Sequence, residues 1–296
     1  MNALIRAEAL GKKYGKRWAL TDCDLDIPAG HVVGLVGPNG AGKTTLLNLV
    51  TGQLAPSAGR ISVLGGEPGH DAAQLARVGY VAQDRPLYAH LSVADHLRLG
   101  RHLNPGWDDA LARRRVERLG LDLKRKAGKL SGGQQAQLAL TIGVAKRPEL
   151  LVLDEPVASL DPFARREFLQ GLMEATVETE LSVLLSSHLI SDLERTCDYL
   201  VLIDHGKVRM SAPLDQVMAT HRRLTGPRTE SSRLPQDMQV VSVSHTGRQS
   251  TYVVRTDRPI HDPAWSVDEL SLEDVVLAYL TPAPGDPAAP AVEVLR

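Results

Sequence analysis

GPNGAGKTT occupies residues 37–45, straight after the apolar run HVVGLVG at 31–37. It fits the pattern G-x-x-x-x-G-K-[ST] from Gly37 to Thr44. The spacing predicts a strand, a tight loop and a helix beginning at about Lys43. Glycines let such a loop curl until successive backbone N–H groups face inward. Those donors, with the positive end of the helix, bind phosphate oxygens. Gly37, Pro38, Asn39, Gly40, Ala41 and Gly42 then form the cradle. Lys43 reaches the β- and γ-phosphates, the Thr44 hydroxyl ligates Mg²⁺, and Thr45 follows it into the helix. A glycine-rich turn with an incidental lysine is the bland alternative. The strand–loop–helix context weighs against it.

Outward from the cradle, LVLDEP at 151–156 sets two acids at the end of another apolar run. A buried charge is costly unless it is paired or coordinates a metal. Mg²⁺ prefers oxygen ligands and keeps several waters. Asp154 can hold it at the strand end, and Glu155 can orient and polarise the attacking water. VGYVAQ (78–83) and LSVLLSSH (181–188) are further short apolar runs ending in polar residues. Open α/β sheets place their ligands at such strand ends. Runs of this kind alternating with amphipathic stretches predict α/β organisation with a largely parallel sheet.

YLVLIDHGKVRM (199–210) reads as a hairpin turning near His205–Gly206. From Pro86 to Leu130 the pattern is helical. Ala112, Val116 and Leu119 share one helical face, with Arg113, Arg114 and Arg115 between them. LTGPRTESSRLPQ (224–236) reads as a linker. MQVVSVSH and STYVVRT predict two strands joined at Thr246–Gly247. SLEDVVLAYL (271–280) predicts a helix with Ser271 as N-cap and Asp274 completing a capping box. The Pro/Ala-rich tail beyond residue 280 reads as disordered. No internal repeat is visible.

Composition narrows the function. The chain has 296 residues, 43% of them hydrophobic, and a formal net charge of -1. A general nucleic-acid binder would carry a clear basic excess. The two cysteines, Cys23 and Cys197, lie in no metal-binding spacing and suit a reducing compartment. No secretory signal and no membrane-spanning run is seen, so a soluble chain is expected, with any membrane role carried by a partner.

LSGGQ at 130–134 precedes the helical stretch QQAQLALTIGVAK. With it, the chain resembles the ATP-binding cassette family over roughly residues 3–220. Tyr14 matches the aromatic that stacks on adenine, and Gly37–Thr45 the phosphate loop. Gln83 matches the glutamine that couples Mg²⁺ and the attacking water to the helical region. Ser131, Gly132, Gly133 and Gln134 match the signature, and Asp154 and Glu155 the metal-binding and catalytic acids. Asp161 matches the interface aspartate, which also reads as a cap for the helix starting at Pro162. His188 matches the histidine that contacts the γ-phosphate.

The resemblance implies a P-loop NTPase fold: a RecA-like core, an antiparallel β subdomain and a helical signature subdomain at about 86–140. The ATP-binding domain is then expected at 1–224, a small α+β accessory module at 225–280 with Trp265 in its core, and the tail at 281–296. The resemblance also implies ATP and Mg²⁺ as ligands. Two cassettes would sandwich ATP, each signature capping the partner's γ-phosphate, and a homodimer is favoured over a heterodimer. It further implies integral membrane permease subunits as partners and no nucleic acid. The chain would sit on the cytoplasmic face of the membrane. In RPLYAHLSVADHLRLG (85–100), Leu87, Tyr88 and Leu91 are either permease contacts or core residues. DNA-repair cassettes put long coiled coils or zinc modules between the phosphate loop and the signature, where this chain is short and has no cysteine, and translation-type members generally carry two cassettes, where this chain shows one. A compact helical region and a C-terminal segment resemble bacterial exporters. One departure stands out. The family commonly shows a basic residue soon after LSGGQ, and here the run is Gln135, Ala136, Gln137.

Overall fold

The computed structural model describes residues 3–84, 87–228 and 238–281. In chain order the first elements are β1 (Ala3–Tyr14), β2 (Arg17–Pro28), β3 (Val32–Val36), α1 (Lys43–Val50), β4 (Ala58–Val63), α2 (Ala72–Arg77) and β5 (Val78–Val81). Then come α3 (Val93–Leu103), α4 (Asp109–Arg118), α5 (Gly132–Ala145), β6 (Leu150–Leu153), α6 (Pro162–Thr179), β7 (Ser182–Ser186), α7 (Ile190–Thr196), β8 (Tyr199–Asp204) and β9 (Lys207–Pro213). The last are α8 (Leu214–Thr220), β10 (His221–Pro227), β11 (Gln239–Thr246), β12 (Gln249–Arg255), β13 (Ser266–Asp268) and α9 (Leu272–Leu280).

The main sheet runs β5-β6-β7-β3-β8-β9. Its pairs from β5 through β8 are parallel, with Leu153 opposite Leu185 and Leu35 opposite Ser186. Every residue of β3, β6, β7 and β8 is buried. That explains why their sequences read as unbroken apolar runs rather than alternating ones. The order β6-β7-β3 has one large consequence. Three segments far apart in sequence end side by side: the cradle after β3, the acids after β6 and His188 after β7.

A second sheet, β2-β1-β4, is antiparallel. Its apolar face joins α1 and the main sheet in one core containing Leu10, Leu20, Leu35, Leu46 and Val201. A separate core under the helical region gathers Val93, Ala112, Val116, Leu130 and Leu138. Leu87 packs against it, while Tyr88 is exposed and Leu91 half-buried. The sequence reading placed Arg115 among the residues between the apolar positions of α4. The structure buries it, at 5% exposure. The reason is helical geometry: Ala112, Arg115, Val116 and Leu119 are spaced i, i+3, i+4, i+7 and so share a face. Arg113 and Arg114 stay outside and pair with Asp109 and Glu178.

Compact units cover residues 1–211 and 212–296. Composition put that boundary at 224, but Leu224 is a fully buried residue of β10, whose strand partners are β12 and β13. Ladder pairing there outweighs the local Thr, Gly and Pro. Residues 229–236 of the expected linker and 282–296 of the expected tail lie outside the described residues. The second unit is an antiparallel sheet of order β11-β12-β10-β13 with two helices. Its core holds Leu224, Tyr252, Val254 and Trp265. The Tyr252 and Trp265 rings meet edge-on at 5.4 Å. The β11–β12 turn falls at Gly247–Arg248, one residue later than expected, because Thr246 still pairs with Gln249. Ser271 and Asp274 form the expected capping box on α9.

Candidate functional site

The cradle is built by close approach. A Cβ on Gly37 would run into the Ile203 carbonyl oxygen, and one on Gly42 would lie 2.7 Å from the Ala19 oxygen. Gly42 also holds φ at 109°, a left-handed value natural to glycine. β2 and β8 thus press against the loop from behind, and only glycine fits there. Pro38, Asn39 and Gly40 remain exposed on the other side. Gly42 is the N-cap of α1 and offers no side-chain cap to the first helical amides. A helix start without a cap leaves its N–H groups for an outside acceptor. Lys43 is buried, and its ammonium donates to the Gly37 oxygen at 2.7 Å and the Pro38 oxygen at 3.2 Å. Those bonds fix the cation over the loop. Thr44 is exposed beside it and Thr45 half-buried.

The two acids take different environments. Asp154 is 2% exposed and accepts a hydrogen bond from Ser186 Oγ at 2.8 Å. The same Ser186 oxygen accepts from the Glu155 backbone N–H at 2.8 Å. One hydroxyl therefore holds both acids to the end of β7. Its charge is felt next door. Burial, with a smaller push from Asp154, raises the Tyr80 hydroxyl to about 12. Glu155 carries φ of 43°, a left-handed conformation that costs a non-glycine residue about 1–3 kcal/mol. That kink separates the directions of the two neighbouring carboxylates. Glu155 Oε2 lies 3.0 Å from His188 Nδ1, and Oε1 lies 3.8 Å from Lys43 Nζ. An ionised carboxylate only accepts, so Nδ1 carries the proton and Nε2 is left for another partner.

Lys43, Asp154, Glu155 and His188 are thus joined by direct contacts or through Ser186. Gln83 is exposed, two residues beyond Val81. The Asp154 N–H donates to the Val81 oxygen at 3.0 Å, which sets the Gln83 segment beside the acids. Tyr14 ends β1 opposite Arg17 and is 49% exposed, with Lys12 Nζ 5.7 Å from its ring centre. It lies on the same hairpin as Ala19, which backs the cradle.

The signature sits elsewhere, at the start of α5. Ser131 Oγ accepts from the Gln134 N–H, and Gln134 Oε1 accepts from the Ser131 N–H, closing a capping box. Ser131 and Gly132 are exposed. A Cβ on Gly133 would lie 2.8 Å from the Ala164 Cβ, so α5 begins tight against α6. Asp161 caps α6, its Oδ1 accepting from the Phe163 and Ala164 N–H groups at 3.0 Å each.

Ser186 is the residue that sequence reasoning missed. The signal was present as the serine pair closing LSVLLSSH, but only the sheet order shows that Ser186 faces the acids. Ile203 and Ala19, the backing of the cradle, left no signal.

Comparison with known proteins follows the same lines. A family model described as ABC transporter matches residues 20–158. The thiamine import ATP-binding protein ThiQ of Jannaschia sp. (strain CCS1) is 36% identical over 202 residues, covering 67% of this chain and 88% of that protein. The Nod factor export ATP-binding protein I of Cupriavidus pinatubonensis is 36% identical over 228 residues, covering 73% and 69%. Among solved structures, CbiO1 of Clostridium perfringens, part of the ABC transporter complex CbiONQ, superposes with a TM-score of 0.64 at 26% identity. It covers 74% of this chain and 92% of that one.

Proposed function

The chain belongs to the ATP-binding cassette family, as an ATP-binding and ATP-hydrolysing subunit of an ABC transporter, and on that premise we propose how its residues divide the work. One observation carries the reading: Lys43, Asp154, Glu155 and His188 converge at three neighbouring parallel strand ends.

Residues 37–45 bind the triphosphate, and Lys43 answers the charge of its β- and γ-phosphates. Tyr14 stacks on the adenine. Thr44, Gln83 and Asp154 present oxygen donors only, the set a small hard cation prefers. Among the described residues no group of three or more His, Cys, Asp or Glu gathers as a metal cage. That suits Mg²⁺, which keeps waters and takes substrate oxygens as further ligands. When bound, Mg²⁺ neutralises charge on the β- and γ-phosphate oxygens. Glu155 accepts a hydrogen bond from the attacking water and draws its proton. His188, its Nδ1–H held by Glu155, meets the γ-phosphate through an Nε2–H, as an imidazolium donating from both ring nitrogens. Ser131, Gly132, Gly133 and Gln134, with Asp161, meet the nucleotide of a second cassette.

The working unit in this reading is a dimer, a homodimer in the simplest case, beneath separate membrane permease subunits. CbiO1 is part of the ABC transporter complex CbiONQ. Among the described residues no helix is long and apolar enough to cross a membrane. The chain then works on the cytoplasmic face, held by its permease and not by nucleic acid. An import and an export protein stand equally close among the relatives. Export is the direction we propose, from the likeness of the compact helical region and the C-terminal unit to bacterial exporters.

Replacing Glu155 by Gln tests the reading. Removing a general base lowers turnover by roughly 10²–10⁴-fold. ATP affinity should hold, because the cradle is untouched. Wild-type turnover in Glu155→Gln would overturn the assignment.

A further inference from the structure

The helix that follows LSGGQ lacks the early basic residue expected of it, and the structure shows a cation arriving from another helix. Arg115 of α4 is 5% exposed and Gln137 of α5 is 6% exposed. Both line a cleft of about 180 Å³ between α4, α5 and α6, with Arg118, Glu167, Gly171 and Glu174. Arg115 donates from Nη1 and Nη2 to the Gly171 oxygen of α6, each at 3.3 Å. Among the described residues, its Nε and the Gln137 Oε1 are buried without a hydrogen-bond partner. A Cβ on Gly171 would stand 3.4 Å from Gln137 Oε1 and 3.5 Å from Arg115 Nη2. Both side chains therefore converge on one spot of α6.

Two neighbouring contacts make the same junction. Arg114 pairs with Glu178 and Arg118 with Glu174, both across α4 and α6. Those pairs are exposed on both sides, and such pairs contribute little. The buried guanidinium is different. Among the described residues no carboxylate pairs with it directly, and its charge is answered at a distance by Glu178 and Glu174. One turn ahead of Gln137, Gly133 touches Ala164. Helix α5 is thus fastened to α6 at two levels. The caps at their starts are Ser131 and Asp161.

We propose that Arg115 is a positioning residue for hydrolysis. Its guanidinium supplies, from α4, the cation missing from the start of α5, and it ties α4 to α6 at the spot where Gln137 of α5 packs, so that Ser131 and Asp161 are presented together. The inference rests on the reading of those two residues as facing a second cassette's nucleotide. It acts on turnover and not on the cradle.

The test relocates the charge in the full chain. Arg115→Gln should lower kcat about tenfold, with KM for ATP and the affinity of the monomer for a fluorescent ATP analogue within about twofold of wild type. The exchange variant Arg115→Gln/Gln137→Arg puts the cation back from α5. It should return kcat to within about threefold of wild type. A merely structural arginine would lower the melting temperature without this split between kcat and KM. Wild-type kcat in Arg115→Gln would overturn the proposal. So would an exchange variant that folds but stays slow, or one that does not fold. Should Arg115→Gln alone fail to fold, the exchange variant decides. Glu155→Gln is the control: if it too hydrolyses ATP normally, the site reading has failed, and not only this inference.

Discussion

Helices α1 and α5 both begin where a phosphate is expected, and they begin differently. α1 starts after Gly42 with no side chain on its amides. α5 starts with Ser131 and Gln134 satisfying each other. The first end is open to an anion on its own terms. The second already has its Ser131 and Gln134 N–H groups satisfied, so an arriving phosphate there meets a partly closed helix start. The difference teaches which end commits. In the proposed reading the cradle takes nucleotide in a single chain, and the signature responds when a second chain brings nucleotide to it.

The largest effect should come from the open end. Lys43→Ala removes a fixed cation, and hydrogen bonds to charged groups contribute about 1.5–3 kcal/mol each. Two such bonds to phosphate make a loss of roughly 100-fold or more in ATP affinity, measurable by nucleotide titration. Unchanged affinity would mean that Lys43 does not reach the phosphates.

Ser186→Ala comes next. It leaves the buried Asp154 Oδ1 and the Glu155 N–H without their partner. An unsatisfied buried group costs about 1–3 kcal/mol, read as a lower denaturant midpoint. Turnover should fall as well, since Glu155 loses its anchor while Lys43 stays in place.

Ser131→Ala probes the closed end. The loss of an N-cap costs about 1 kcal/mol of stability. ATP affinity of the single chain should not change, and steady-state turnover should drop. A loss of affinity in the monomer would erase the contrast between the two ends.

Asp108 at the start of α4 supplies a baseline, a cap with no place in the site. Its carboxylate accepts from the Leu111 N–H at 2.8 Å and is bound by Arg147. Asp108→Ala should cost about 1 kcal/mol and leave ATP affinity and turnover intact. The Leu111 amide first, then Arg147, hold the Asp108 carboxyl below its ordinary value. A carboxyl lowered in this way adds stability above the ordinary carboxylate range and loses it as pH falls through the lowered value. The gap between wild type and Asp108→Ala should therefore close in acid.

Much of this was legible in the chain. Buried parallel strands show as the runs at 32–36, 150–153 and 182–186, and glycine, lysine and acid placement marks their ends. What was not legible depends on neighbours in space. Nothing in sequence says that β7 lies between β6 and β3, so Ser186 carried no mark as the link between the acids. Arg115 read only as one of three arginines between the apolar positions of its helix. The i, i+3, i+4 spacing that buries it was visible, but the Gly171 carbonyl that receives it was not. At Leu224 the local composition favoured a linker, and strand pairing with β12 and β13 prevailed.

Light scattering on the Glu155→Gln chain, with and without Mg-ATP, addresses the central claim directly. An open cradle and a signature that answers a second chain's nucleotide require a monomer without ATP and a dimer with it. A chain that stays monomeric after ATP binding is confirmed would contradict the homodimeric sandwich.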